Sequence, residues 1–138
     1  MSKKFYLDTN ILLSLLIERD DKQKECLKLV EKIKQNKINA VTGNIVLAEL
    51  VWVLKSYYGI PKKEISEKLR GITRLRGLKI IDDYDLSRAI DIYEKKSLKY
   101  IDALIASTKL VNLKKWVVVS FNKDFDKIGV LRKEPADI

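Results

Sequence analysis

The chain has 138 residues, with 28 Lys and Arg against 19 Asp and Glu, one Cys and no His. That length suits one domain burying about 70% of its unfolded surface, and a 46% hydrophobic, 34% charged composition indicates a folded globular protein. The absences exclude most nucleophilic chemistry. Without imidazole there is no Ser-His-Asp or Cys-His system of the usual kind, and a lone Cys builds neither an internal disulfide nor an ordinary structural zinc site. An enzyme of this composition works through carboxylates, and carboxylates that gather select a hard cation such as Mg²⁺.

The net charge of +9 suits a polyanionic partner, and equally a Lys-rich solvated surface of the kind common in proteins from hot environments. No segment approaches the roughly 20 apolar residues that a membrane span requires. The basic start, Met1 to Lys4, is followed at once by a segment that Asp8 and Asn10 interrupt, which is unlike a signal peptide. A cytoplasmic location with no membrane partner is the expectation.

Along the chain, Phe5-Tyr6-Leu7 reads as a strand ended by Asp8-Thr9-Asn10, and Thr9 or Asn10 is suited to cap a helix through Ile11 to Ile17. Residues 20–36 form an amphipathic helix with Cys26, Leu27, Val30 and Ile33 on one face, which makes Cys26 a small core residue. A second strand spans Ile38 to Val41, and Thr42-Gly43-Asn44 caps a helix over 45–57 that is too apolar for a surface position. Gly59 and Pro61 stop that helix and start another over about 61–70. Leu78 to Ile81 is a third strand, Asp85 to Lys95 a helix and Tyr100 to Asn112 another. The uninterrupted apolar run Trp116 to Phe121 suits a buried parallel strand, and Ile128 to Leu131 an edge strand. This alternation predicts an α/β fold: a single three-layer α/β/α domain over 1–138, with a central parallel sheet of four to five strands and helices on both faces.

Four acids sit where a surface acid should not. Asp8 directly follows the first strand, and ligands of parallel α/β sheets bind at the carboxyl ends of strands, although an Asp there also caps the next helix. Glu49 has Ile45, Val46, Trp52 and Val53 as its helical neighbours, so it faces the interior or a cleft wall, unpaired or held by one Lys or Arg. Asp102 lies in the first turn of YIDALIASTKLVNL, where the helix dipole favours a carboxylate by roughly 0.3–1 kcal/mol and also favours phosphate. Asp124 falls within SFNKDFD, just past the fourth strand and near Ser120, Asn122 and Asp126, where a polar turn accounts for it equally well. Taken together, two acids end strands and two line helices that pack beside them, so all four are able to converge at one rim of the sheet. Two like charges 4 Å apart repel by about 4 kcal/mol at an effective dielectric of 20. Four gathered carboxylates therefore need cations, and oxygen-only ligation selects Mg²⁺ or Mn²⁺, ions that activate water and clamp a phosphodiester without any His.

The segments FYLDTNILL, the Glu49 helix, SLKYIDALIA and VVVSFNKDFDKIG resemble, in order and over essentially the whole chain, the four motif blocks of the PIN-domain ribonucleases, and most closely those of single-domain VapC-type toxins of prokaryotic toxin–antitoxin pairs. The resemblance implies a PIN-like fold and Mg²⁺- or Mn²⁺-dependent endonucleolytic cleavage of RNA. It also implies homodimerisation and inhibition by a small cognate antitoxin protein. It puts Asp8, Glu49, Asp102 and Asp124 on the acidic catalytic and metal-binding positions, Asn10 on the polar residue accompanying the first Asp, and Ser120 on the hydroxyl closing the fourth strand. One departure stands out: many relatives carry Asp where this chain has Asn122, which keeps a neutral oxygen but removes a charge. Asp124 and Asp126 both remain open as the fourth ligand, with Asp124 preferred.

Between Lys62 and Lys79 lie seven basic residues, Lys62, Lys63, Lys68, Arg70, Arg74, Arg76 and Lys79, against Glu64 and Glu67. This densest basic stretch is a candidate phosphate-tracking rim or else a solvated helix face. The apolar faces of 45–58 and 61–70 are a candidate groove for an antitoxin segment. Two other readings compete: a catalytically degenerate RNA-binding or scaffold module, suggested by Asn122, and a phosphotransferase with Asp8 as nucleophile, disfavoured because such enzymes carry a second Asp where this chain has Asn10.

Overall fold

The computed structural model describes residues 3–17 and 21–138. Met1 and Ser2 of the basic start, and Asp20, where the second helix is expected to begin, lie outside them. Tyr6 and Leu7, fully buried, sit in the central strand β1 (Lys4–Leu7), which pairs in parallel with β2 (Asn39–Thr42) on one side and β4 (Val117–Val119) on the other. Beyond β2 lies β3 (Leu78–Ile80), and beyond β4 the two-residue β5 (Arg132–Lys133), giving a wholly parallel five-stranded sheet ordered β3-β2-β1-β4-β5. The valines of β4 are all buried, as an uninterrupted apolar run demands of a strand covered on both faces.

Seven helices join the strands among the described residues: α1 (Thr9–Leu16), α2 (Asp21–Lys34), α3 (Asn44–Ser56), α4 (Lys62–Thr73), α5 (Leu86–Lys95), α6 (Tyr100–Ser107) and α7 (Lys109–Asn112). α1 packs on α2 and α3, α3 on α4, and α5 on α6, so the expected three-layer α/β/α arrangement is present. The chain moves outward from β1 through β2 to β3, then crosses back to place β4 on the other side of β1. That reversal leaves a crevice at the carboxyl ends of β1 and β4, the general ligand position of open parallel sheets.

Where the elements depart from expectation, local chemistry accounts for it. The helix expected over Tyr100–Asn112 breaks at Thr108, whose backbone sits at φ −53°, ψ 127°. There Ser107 Oγ and Thr108 Oγ1 both donate to the Leu104 carbonyl, at 2.8 and 3.4 Å, competing with the helical ladder, while Lys109 N–H donates to Asp83 O at 3.3 Å. The edge strand forms at Arg132–Lys133 instead of 128–131, because a 3₁₀ turn occupies Lys123–Ile128 and Gly129 reverses the chain at φ 72°. α3 is not covered all round, since Trp52 is exposed, as is Tyr57 just past its end. α2 buries Cys26, Leu29, Val30 and Ile33, a spacing of three, four and seven, but leaves Leu27 in solvent. Cys26 is a buried free thiol, as expected of a small core residue, and burial pushes its pKa up to about 11.

Candidate active site

Asp8 is both strand terminus and helix cap. Its backbone N–H donates to Val119 O at 3.1 Å, tying the end of β1 to the end of β4, and its side chain caps α1 by accepting from Thr9 N–H at 2.8 Å. The other carboxylate oxygen accepts from Ser120 Oγ at 2.7 Å and from Asn10 Nδ2 at 3.4 Å. Asn10 Nδ2 also donates to Ser120 Oγ at 3.0 Å, and Asn10 Oδ1 accepts from Phe121 N–H at 3.3 Å. Ser120 in turn accepts from Asn122 N–H at 2.9 Å. Residues separated by more than 100 positions in the chain thus fix one carboxylate in one orientation.

Two further acids share its cleft, a hollow of about 170 Å³ lined by Asp8, Thr9, Asn10, Glu49, Asp102 and Asn122, among others. Asp102, in the first turn of α6, is 3% exposed and accepts one hydrogen bond, from Asn122 Nδ2 at 3.2 Å. Burial first, then the carboxylates of Asp8, Glu49 and Asp124, push its pKa up to about 7, against the opposing pull of Lys99. Asp8 is raised as well, because burial outweighs the hydrogen bonds from Ser120 and Thr9. Glu49 comes from the middle of α3 with its side chain 14% exposed, and pairs with Lys99 Nζ at 3.2 Å. Thr9 Oγ1 is buried in the same wall without a hydrogen-bond partner.

The remaining sequence candidates lie elsewhere. Asp124 stands outside the cleft wall, half exposed and paired with Lys127 at 3.0 Å, while its own N–H donates to Asn122 Oδ1 at 3.0 Å. Asp126 faces away: Arg132 grips it through two bonds of 3.0 and 3.2 Å, which lowers its pKa, and reaches Ser120 O and Glu134 as well. Among the described residues no three acidic side chains stand close enough to ligate one ion as they are placed; Glu49 is engaged by Lys99 and Asp124 by Lys127. The basic residues Lys62, Lys63, Arg70, Arg74 and Arg76 are exposed on α4 and the turn after it, and none lines the cleft. Lys99 escaped the reading of the sequence, although a Lys at a helix N-cap, where Ser, Thr, Asp or Asn is preferred, was a usable signal.

A wholly parallel sheet with an acid-lined cleft at its topological switch point defines an α/β protein of the kind that binds its ligand at the carboxyl rim of the sheet. Residues 5–131 match the PIN domain family, and the chain belongs to it. The chain is 26% identical over 132 residues to the VapC ribonuclease of Aquifex aeolicus, a match covering 95% of this chain and 96% of that protein. Its fold superposes on VapBC2 from Rickettsia felis, solved bound to a DNA fragment from their promoter, with a TM-score of 0.69 at 21% identity over 95% of this chain and 98% of that one. VapC20 of Mycobacterium tuberculosis, a Sarcin-Ricin loop cleaving toxin, gives 0.64 at 14% identity over 92% and 96%. At such identities the structural likeness speaks for the fold.

Proposed function

We propose that this protein is a divalent-metal-dependent endoribonuclease, the toxin of a type II toxin–antitoxin pair acting in the cytoplasm. The observation that carries the reading is the meeting of Asp8, Glu49 and Asp102, from three different elements, in one cleft at the switch point of the sheet. The relationship to a VapC ribonuclease supports it.

The donor set fits a hard cation. It is all oxygen, Thr9 Oγ1 in its wall is an unpartnered buried acceptor, and Asp102 is held near the point of losing its proton. Asp8 and Asp102 would hold Mg²⁺ or Mn²⁺, with Glu49 and, from the rim, Asp124 as further ligands. When bound, the cation supplies positive charge that activates water and stabilises charge building on a phosphodiester. The chain's own residues prepare this: Ser120, Asn10 and Thr9 N–H fix the Asp8 carboxylate, and Asn122 orients Asp102. Purified protein with Mn²⁺ should cleave RNA, and Asp8→Asn and Asp102→Asn should each lower the rate by about 100-fold or more. Cleavage that persists in either variant would rule this mechanism out.

Partners follow from the surface. A hollow of about 520 Å³ between α3 and α4, lined by Val51, Ile60, Pro61, Ile65 and Leu69, suits an apolar antitoxin segment. On α5, Leu86, Ile90 and Tyr93 are exposed at spacings of four and three, one helical stripe suited to a second copy in a homodimer. The exposed Lys62, Lys63 and Arg70 of α4 suit RNA phosphates. Asn122 and the paired state of Glu49 favour one other reading, a degenerate RNA-binding module, and absence of Mn²⁺ binding in calorimetry would select it.

A further inference from the structure

Lys99 has no local reason to be where it is. It occupies the N-cap of α6, makes no capping hydrogen bond with its side chain, and sets a positive charge at the positive end of a helix dipole. Its ammonium instead crosses to another helix, 50 residues away in sequence, and donates to Glu49 Oε2 at 3.2 Å. It is the one Lys or Arg among the described residues lining the acidic cleft. The two partners are unequal: the Glu49 side chain is 14% exposed, whereas that of Lys99 is 67% exposed and free to swing into water. Surface pairs with so exposed a partner are weak, so the contact is easily replaced.

The electrostatics explain what the ammonium does there. Asp8, Glu49 and Asp102 face one small hollow, and like charges at such range repel unless a cation intervenes. Among the described residues no three acids are placed to share an ion, and Glu49 is the one that Lys99 engages.

We propose that Lys99 is a displaceable internal counter-ion: its ammonium holds Glu49 while the cleft is free of metal, and an arriving divalent cation must displace it to gain that carboxylate. The inference rests on the metal-dependent reading above. Lys99 is thus a positioning residue that sets how tightly the cleft takes its cation, and it weakens that binding. A purely structural ion pair would do the opposite, since breaking it would loosen the site.

The test is Mn²⁺ affinity, read by calorimetry or by the paramagnetic resonance of free Mn²⁺ on chelator-treated protein, so that no catalytic turnover is involved. Lys99→Gln and Lys99→Met should bind Mn²⁺ about three- to tenfold more tightly than the wild type, from loss of a competing charge at close range. Lys99→Arg should stay near the wild type. Folding is not at risk, because the Lys99 side chain makes no capping hydrogen bond to α6. Wild type that binds Mn²⁺ with Gln and Met variants binding equally or more weakly would overturn the inference and leave the metal site standing. No binding by the wild type or by any variant would instead remove the metal-dependent reading itself, and the inference with it.

Discussion

Two acids at the carboxyl rim of the same sheet are treated in opposite ways. Asp82, after β3, accepts three hydrogen bonds: from Asn44 N–H at 2.8 Å, Asn44 Nδ2 at 2.7 Å and Tyr84 Oη at 2.6 Å. Burial works against it, but these donors win and hold its carboxyl below the usual range. Asp102, after the crossover, receives one donor and is nearly fully buried, and burial first, then the charges of Asp8, Glu49 and Asp124, carry it up to about 7. The lesson is that donors make an acid a structural part, whereas burial among like charges leaves it needing a cation. Asp82 serves as the N-cap that α3 lacks, since Gly43 has no side chain to offer, and so anchors the helix that carries Glu49. The Asp82 carboxylate has three donors; that of Asp102 has one.

Gly43 is the sharpest place to break the structural half of this comparison. A Cβ there would lie 2.4 Å from Tyr84 Oη and 2.5 Å from Tyr6 Oη, and Tyr6 is fully buried with no room to yield. Gly43→Ala should therefore cost about 1–3 kcal/mol by overpacking, seen as a lower urea midpoint; an unchanged midpoint would mean that the cluster is loose.

Next in size is Asp102→Asn, measured on metal-free protein. A carboxyl whose folded pKa is raised contributes stability that is fully present below its unfolded value and is lost as pH rises through about 7. The wild type should thus be less stable than Asp102→Asn near pH 8, by several degrees in Tm, and the gap should close as pH falls toward about 4. A gap that is constant with pH would show that burial and like-charge crowding do not raise Asp102 in the folded protein. The smallest effect sharpens the contrast from the other side. Asp82→Ala should destabilise by about 1 kcal/mol, the usual cost of losing a cap, in the opposite direction to Asp102→Asn at the same pH. Stabilisation by Asp82→Ala would erase the distinction.

Much of this was legible in the sequence because it is local. An Asp directly after a strand, a Glu amid apolar neighbours at helical spacing and an Asp in the first turn of an apolar helix are patterns that a few residues define, and Asp8, Glu49 and Asp102 line one cleft. The apolar run at 116–121 likewise determined a buried parallel strand. The chain also determined the class of chemistry open to it, since it lacks His and has carboxylates to spare.

The tertiary structure decided the rest. Asp124 and Asp126 are two residues apart and equivalent in pattern; in the fold Arg132 from β5 grips Asp126, while Lys127 pairs with Asp124. The Ser107–Thr108 hydroxyls, bonding back to Leu104, and the Asp83 carbonyl that takes up Lys109 N–H ended a helix whose apolar pattern ran on. Ser120 and Asn10 brace one carboxylate from 110 positions apart, and Lys99 meets Glu49 across 50. Periodicity reports which face of an element is buried. The strand order β3-β2-β1-β4-β5 alone brings those faces together, because neighbours in the sheet are not neighbours in the chain.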